Sequence, residues 1–108
     1  MVNVWTSPKI VENGAYTVNV LNGEILKIVA FTKTKLVTTK LKIETMDGEI
    51  LCDDYLLATP TRFYPKNITQ VSQEQTHIDN YYVFGVLQIE VAGLGDGESI
   101  ESIAIYYK

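Results

Sequence analysis

Apolar and polar residues alternate with a period of two along much of the chain, which is the spacing of β-strands that bury one face. The alternation is clearest in residues 40–44, where Leu41 and Ile43 point one way and their charged neighbours point the other. The same pattern recurs in residues 16–20, 87–91 and 103–107. Residues 25–31 are more continuously apolar, which predicts a central strand with both faces covered. No segment shows a convincing helical period.

Turn signals separate these segments. Asn13-Gly14, Asn22-Gly23 and Asp47-Gly48 are pairs that favour type I′ turns, because both central residues of such a turn need a positive φ. We therefore expect Asn22-Gly23 to form a tight hairpin that leads into strand 25–31. Asp47-Gly48 should join strand 36–45 to strand 49–53 in the same way.

The second half is less regular until its last third. Thr59-Pro60 and Tyr64-Pro65 restrict the backbone, so we expect a short strand near 66–71 followed by an exposed polar loop over 72–80. The last third predicts a second hairpin over 86–107, connected by the glycine-rich residues 93–97, with a bulge or strand start near Glu101.

These segments amount to seven or eight short strands in one domain over residues 1–108. A chain of 108 residues is long enough to bury a core without disulfides. The predicted fold is all-β, an antiparallel β-sandwich of jelly-roll-like type. An immunoglobulin-like sandwich is the alternative, although its Cys–Trp–Cys pattern is absent.

Charge narrows the choice of partners. Nine Lys and Arg stand against thirteen Asp and Glu, giving a net charge of −4. The modest basic stretch at Lys33, Lys35, Lys40 and Lys42 is typical of a solvated strand pair, so we expect no nucleic-acid binding. No apolar run is long enough to cross a membrane, and the first residues do not resemble a signal peptide, which favours synthesis in a cytoplasm without export.

The residues that usually carry catalysis are sparse. His77 is the one histidine and Cys52 the one cysteine, and nothing local pairs them as base and nucleophile. Asp53 and Asp54 are strand neighbours that point to opposite faces, so they cannot easily share a ligand. The 93–97 loop lacks the Lys of a phosphate-binding loop. We therefore expect no enzyme activity, no metal and no cofactor.

Aromatic residues exceed what a core of this size needs. Seven Tyr, three Phe and one Trp make up 10% of the chain, and several are strand neighbours, so one ring of each pair must face outward. Tyr is enriched in interfaces because it offers contact area together with a polar group. The candidate interface residues are Trp5, Pro8, Phe63, Tyr64, Tyr81, Tyr82 and Tyr106.

A family resemblance covers about residues 36–108. It is carried by Asp47-Gly48-Glu49, by Arg62-Phe63-Tyr64-Pro65-Lys66, by the Tyr-Tyr-x-x-Gly-x-Leu pattern within residues 79–89, and by the closing Ile105-Tyr106-Tyr107. In these features the chain resembles small β-sandwich virion proteins of tailed phages, the capsid-decoration (cement) and head-fibre base proteins. The resemblance implies a non-enzymatic, homo-oligomeric subunit, with a trimer favoured, that docks on a protein shell in the virion.

Two alternatives stay open at the sequence level. Residues 1–10 form either an extended arm that binds a neighbour through Trp5 and Pro8, or a first strand over 2–6 whose Trp5 enters the core. The function is either that of a capsid accessory subunit or that of a carbohydrate-binding module, whose exposed tyrosines would stack on sugar rings.

Overall fold

The computed structural model describes residues 1–70 and 72–108. Within these ranges the chain forms nine strands and no helix. The described residues therefore contain no helix that could cross a membrane. The strands are β1 (Asn3–Thr6), β2 (Gly14–Phe31), β3 (Leu36–Thr45), β4 (Ile50–Leu56), β5 (Thr61–Phe63), β6 (Asn67–Gln70), β7 (Thr76–Asp79), β8 (Tyr82–Ala92) and β9 (Ser102–Tyr107). Every pairing among them is antiparallel, which confirms the predicted all-β antiparallel sandwich.

Strand β2 belongs to both sheets of the sandwich. Its first part, from Gly14 to Glu24, pairs with β8 in a sheet of order β2–β8–β3–β4. Its second part, from Ile25 to Phe31, lies between β9 and β5 in a sheet of order β1–β9–β2–β5. One strand therefore turns the corner between the two sheets, as bulged strands do in packed β-sheets.

The expected hairpin at Asn22-Gly23 is wrong, because these residues lie inside β2 and pair with Phe84 and Val83. Gly23 lies where β2 bends from one sheet to the other, and not in a turn. Gly23 has a φ of +150°, and a Cβ at this position would lie 2.2 Å from the backbone oxygen of Lys108. Lys108 also exchanges two backbone hydrogen bonds with Glu24. A pair that resembles a turn signal thus marks a bend where another part of the chain approaches closely.

The predicted hairpin at Asp47-Gly48 is confirmed, but its expected type I′ geometry is wrong, because Gly48 has a positive φ and Asp47 does not. Strands β3 and β4 pair on either side of it, with Ile43 opposite Cys52, and Gly48 has a φ of +89°. The Thr45 amide donates to the Glu49 carbonyl at 2.9 Å and closes the turn.

The two strands predicted for the C-terminal hairpin are present, but the prediction that they pair with each other is wrong. β8 and β9 flank β2 on different sheets and do not pair with each other. Residues 93–101 instead cross from one sheet to the other. The Asn13 side chain fixes this crossing, because its amide donates to the Leu94 carbonyl at 3.0 Å and accepts from the Leu94 amide at 2.8 Å. The expected strand start near Glu101 is confirmed by β9, which begins at Ser102.

A single apolar core lies between the sheets. The alternation in residues 40–44 holds, since Leu41 and Ile43 are fully buried while Lys40 is exposed. Each sheet contributes fully buried residues to this core: Ile28, Ile103 and Ile105 from one, and Leu41, Ile43, Leu87 and Ile89 from the other. Burial of this apolar surface is the main favourable contribution to folding.

Strands β6 and β7 form a separate two-stranded hairpin. The loop predicted over 72–80 is therefore wrong at Thr76–Asp79, while the predicted strand near 66–71 is confirmed for Asn67–Gln70, and residue 71 lies outside the described residues. Ile68 and Ile78 face each other across the hairpin and both are exposed. All residues of β7 are exposed, so their sequence shows no apolar alternation and their polar composition predicted a loop instead.

Candidate interaction surface

The residues singled out for chemistry lie apart. Cys52 is buried in the core, whereas His77 lies on the exposed hairpin β6–β7 and contacts the Asp79 carboxylate at 2.8 Å. Burial raises the pKa of the Cys52 thiol from 9.0 to about 12, and the nearby carboxylates of Asp53 and Asp54 add to the shift. At this pKa the thiol is protonated at neutral pH, and a protonated thiol is a poor nucleophile.

Three surface lysines lie within ion-pair distance of a carboxylate. Lys40 lies 3.3 Å from Asp53, Lys42 lies 3.8 Å from Glu44, and Lys33 lies 4.0 Å from Glu101. Asp54 instead accepts a hydrogen bond from the Tyr55 amide. In the described ranges, no group of three or more His, Cys, Asp or Glu side chains has a geometry that could hold a metal ion.

Of the seven candidate interface residues, three turn inward. Trp5, Phe63 and Tyr81 are partly buried and pack against the core. Trp5 belongs to β1, where it lies opposite Ile105 of β9, so the N-terminal segment forms a strand of this chain's own sheet. Ile10 continues the contact through an isolated bridge to Ile100.

The other four candidates lie nearer the surface but do not form one patch. Tyr106 is half-buried, and the Lys27 ammonium lies 4.6 Å from the centre of its ring. Pro8 is exposed and lines a small apolar pocket of about 180 Å³ together with Trp5, Ile10 and Tyr16. Tyr64 and Tyr82 are the two candidates with largely exposed rings, at 60% and 59%.

Tyr82 lines a groove that was not predicted from the sequence. The groove has a volume of about 310 Å³ and lies between the β3–β4 turn and the first half of β8. Met46 from the turn and Phe84 from β8 line it beside Tyr82, and they are 73% and 79% exposed. Exposed apolar side chains that lie together often mark interaction sites, whereas apolar residues scattered singly over a surface do not.

The groove forms because β3 and β8 pair with an offset, so the first residues of β8 have no residue of β3 beside them. β3 ends at Thr45, opposite Leu87, and the chain then turns away through Met46. β8 begins five residues earlier, at Tyr82, so its first residues extend past the end of β3. Tyr82 and Phe84 lie two apart on the strand and therefore share a face. The spacing of two residues between Tyr82 and Phe84 is visible in the sequence. The pairing of β3 with β8, which brings Met46 beside them, is not.

Comparison with known proteins adds little to this picture. No family model matches the chain, and no curated protein matches it. Among solved structures, the chain is similar to one described as the structure of infectious bursal disease virus Gt strain, with a TM-score of 0.33 and 9% sequence identity. The similarity covers 98% of this chain and 32% of that chain, so this chain spans about a third of the other's length.

Proposed function

We propose that this protein is a non-enzymatic interaction subunit, a viral capsid accessory (decoration) protein that binds a protein shell as a homo-oligomer. The observation that carries the proposal is the cluster of exposed apolar side chains at one groove, Met46, Tyr82 and Phe84. Keeping three such side chains in water costs solubility, and docking on a partner removes that cost.

The rest of the sandwich is suited to present this surface without changing shape. Its three longest strands are paired, with β2 and β3 on either side of β8, and fully buried Ile and Leu side chains from both sheets fill the core. A rigid scaffold of this kind loses little conformational entropy on docking. The sequence resemblance to phage decoration and head-fibre base proteins, which includes Tyr81-Tyr82 and Gly85, supports the choice of a protein shell as the partner.

Light scattering coupled to size exclusion tests the oligomeric part of the proposal. The expected mass is a small multiple of 12.1 kDa, three-fold for a trimer. A mass that stays at 12.1 kDa up to high protein concentration would argue against a homo-oligomeric subunit.

A carbohydrate-binding module is the second candidate, favoured by the exposed rings of Tyr64 and Tyr82. Aromatic rings on a surface stack on sugar rings, so this function predicts glycan-array binding that is lost in Tyr64→Ala or Tyr82→Ala. An array without a specific signal would remove this candidate and leave the protein-binding function in place.

A further inference from the structure

The first half of β8 has a free strand edge. On one side it pairs with β2 as far as Glu24 opposite Tyr82, but on the other side β3 reaches only to Leu87. Residues 82–86 therefore have a neighbouring strand on one side only. At about 3.3 Å per residue, this open edge is roughly 17 Å long.

The backbone groups at this edge are available for pairing. The Tyr81 carbonyl accepts a hydrogen bond from the Ile25 amide, so the polar groups of Tyr81 point toward β2. Backbone groups alternate in direction along a strand, which aims those of Tyr82 and Phe84 at the open side. Within residues 1–70 and 72–108, neither Tyr82 nor Phe84 has a backbone partner there.

Natural proteins usually protect such an edge. Lys or Pro residues, a bulge or a covering loop prevent unwanted strand pairing. Residues 82–86 read Tyr-Val-Phe-Gly-Val, which contains neither Lys nor Pro. A bulge between Val18 and Leu21 of β2 and the positive φ of Gly85 make the end of this edge irregular, whereas Tyr82, Val83 and Phe84 form a regular open edge with apolar side chains.

The walls of the groove along this edge carry negative charge. Asp47 and Glu49 line it from the β3–β4 turn, and no Lys or Arg is among its lining residues. In the part of the chain that the structure describes, neither carboxylate has a cation within 4.0 Å, whereas Glu44 and Asp53 on the neighbouring strand faces are each paired with a lysine. The Thr45 hydroxyl donates a hydrogen bond to Asp47, but no cation offsets the charge of the groove among the described residues.

We infer that this groove binds an extended segment of the shell protein, which adds to the sheet as a strand beside residues 82–86 and alternates apolar with Lys or Arg residues. The inference rests on the proposed function and specifies its partner. Each part of the segment meets a complementary part of the groove. Its backbone pairs with Tyr82 and Phe84, its apolar side chains contact Met46 and those two rings, and its cations approach Asp47 and Glu49.

Charge also decides between a foreign segment and a second copy of this chain. A second copy that paired through the same edge would bring its own Asp47 and Glu49 near those of the first groove, so pairing of two grooves is opposed. A basic segment of another protein is attracted to it.

The test uses a synthetic peptide of alternating Lys and Val, about seven residues long to span the edge. We expect nuclear magnetic resonance titration of the isotope-labelled chain to shift the amide signals of Tyr82, Phe84 and Val86 saturably. A Glu-Val peptide of the same length should not bind, because it places anions against Asp47 and Glu49. A Lys-Val peptide methylated on the amides that face the edge should bind much more weakly, because it cannot complete the ladder.

A variant tests the charge from the protein's side. Glu49→Lys should weaken binding of the Lys-Val peptide roughly tenfold, since it replaces an attraction with a repulsion. Asp96→Lys is the matched control, because Asp96 is another exposed turn carboxylate and is not part of the groove. It should bind the peptide nearly as well as the wild type.

Several results would overturn the inference without depending on the folding of any variant. These are no shift with the Lys-Val peptide, equal binding of the Glu-Val peptide, or shifts confined to the other strand edges at β1 and β4. Groove signals that move with protein concentration in the absence of peptide would assign the groove to a second copy instead.

If the chain is oligomeric and binds a shell while the peptide fails, only this inference falls. If the peptide binds but the chain is a monomer that ignores shells, the proposed function falls.

Discussion

Single residues take their roles from neighbours that are distant in sequence. Gly23 is needed because the backbone of Lys108 lies against it, and Cys52 is inert because β4 buries it in the core. The sequence could indicate that a lone cysteine on an apolar strand would be buried. It could not indicate the contact that makes Gly23 necessary, because that contact joins residues 85 positions apart and depends on the bend of β2.

The buried thiol predicts a pH dependence of stability. Burial raises the pKa of Cys52 from 9.0 to about 12, so the folded protein holds this proton more tightly than the unfolded chain does. The resulting stabilisation is complete below the unfolded pKa and is lost as the pH rises from 9.0 toward 12, at a limit of about 1.4 kcal/mol per pH unit. Denaturant unfolding between about pH 8 and about pH 11 should therefore show a steeper loss for the wild type than for Cys52→Ala. Parallel curves for the two proteins would mean that the thiol is not buried.

The close approach at Gly23 predicts a large cost for a single methyl group. Gly23→Ala should lower the free energy of unfolding by about 3 kcal/mol, because the new Cβ meets the Lys108 carbonyl and φ is positive. Gly14→Ala is the matched control, since Gly14 has nearly the same φ but nothing within 4 Å of its Cβ position. It should cost about 1 kcal/mol. Equal losses in denaturant unfolding would show that backbone strain alone matters at Gly23.

At the scale of elements, the sequence predicted the positions of strands more reliably than which strands pair with each other. Period-two alternation located β3 and β8, and Asp47-Gly48 located the turn between β3 and β4. Alternation reports which face of a strand is buried but not which strand lies beside it. The bend of β2 and the crossing from β8 to β9 were missed for this reason. The groove was missed with them, because it depends on where β3 ends along β8.

The Asn13 side chain holds the crossing from β8 to β9 against the start of β2. Asn13→Ala removes two hydrogen bonds to Leu94 and should cost about 2 kcal/mol of unfolding free energy. Asn19→Ala changes an exposed asparagine within β2 and should stay within about 0.5 kcal/mol of the wild type. A loss at Asn13 no larger than at Asn19 would show that the crossing does not depend on this side chain.

The β6–β7 hairpin should be energetically separate from the sandwich. Its strands pair only with each other, and Ile68 and Ile78 are exposed. The double change Ile68→Ser with Ile78→Ser should therefore alter the unfolding free energy by less than about 1 kcal/mol, whereas Ile43→Ala in the core should cost about 3 kcal/mol. Hydrogen exchange should also be much faster in the hairpin than in β8. A large loss from the double change would mean that the hairpin packs on the sandwich.

At the scale of the whole molecule, the fold combines a well-packed interior with a groove that exposes apolar side chains beside two carboxylates. The sandwich isolates Cys52 from His77 and places Lys33, Lys40 and Lys42 beside carboxylates. The exposed apolar groups of Met46, Tyr82 and Phe84 converge beside an open strand edge. This distribution supports a protein that acts by docking.

Co-sedimentation with assembled shells of the major capsid protein from the same genome tests this account most directly. We expect the wild type to bind shells saturably and Phe84→Asp to bind roughly tenfold more weakly, because it places a charge in the apolar groove. Val37→Asp changes an exposed apolar residue outside the groove and should bind like the wild type. The account would be contradicted if the wild type stayed in the supernatant, or if Phe84→Asp bound shells as tightly as the wild type.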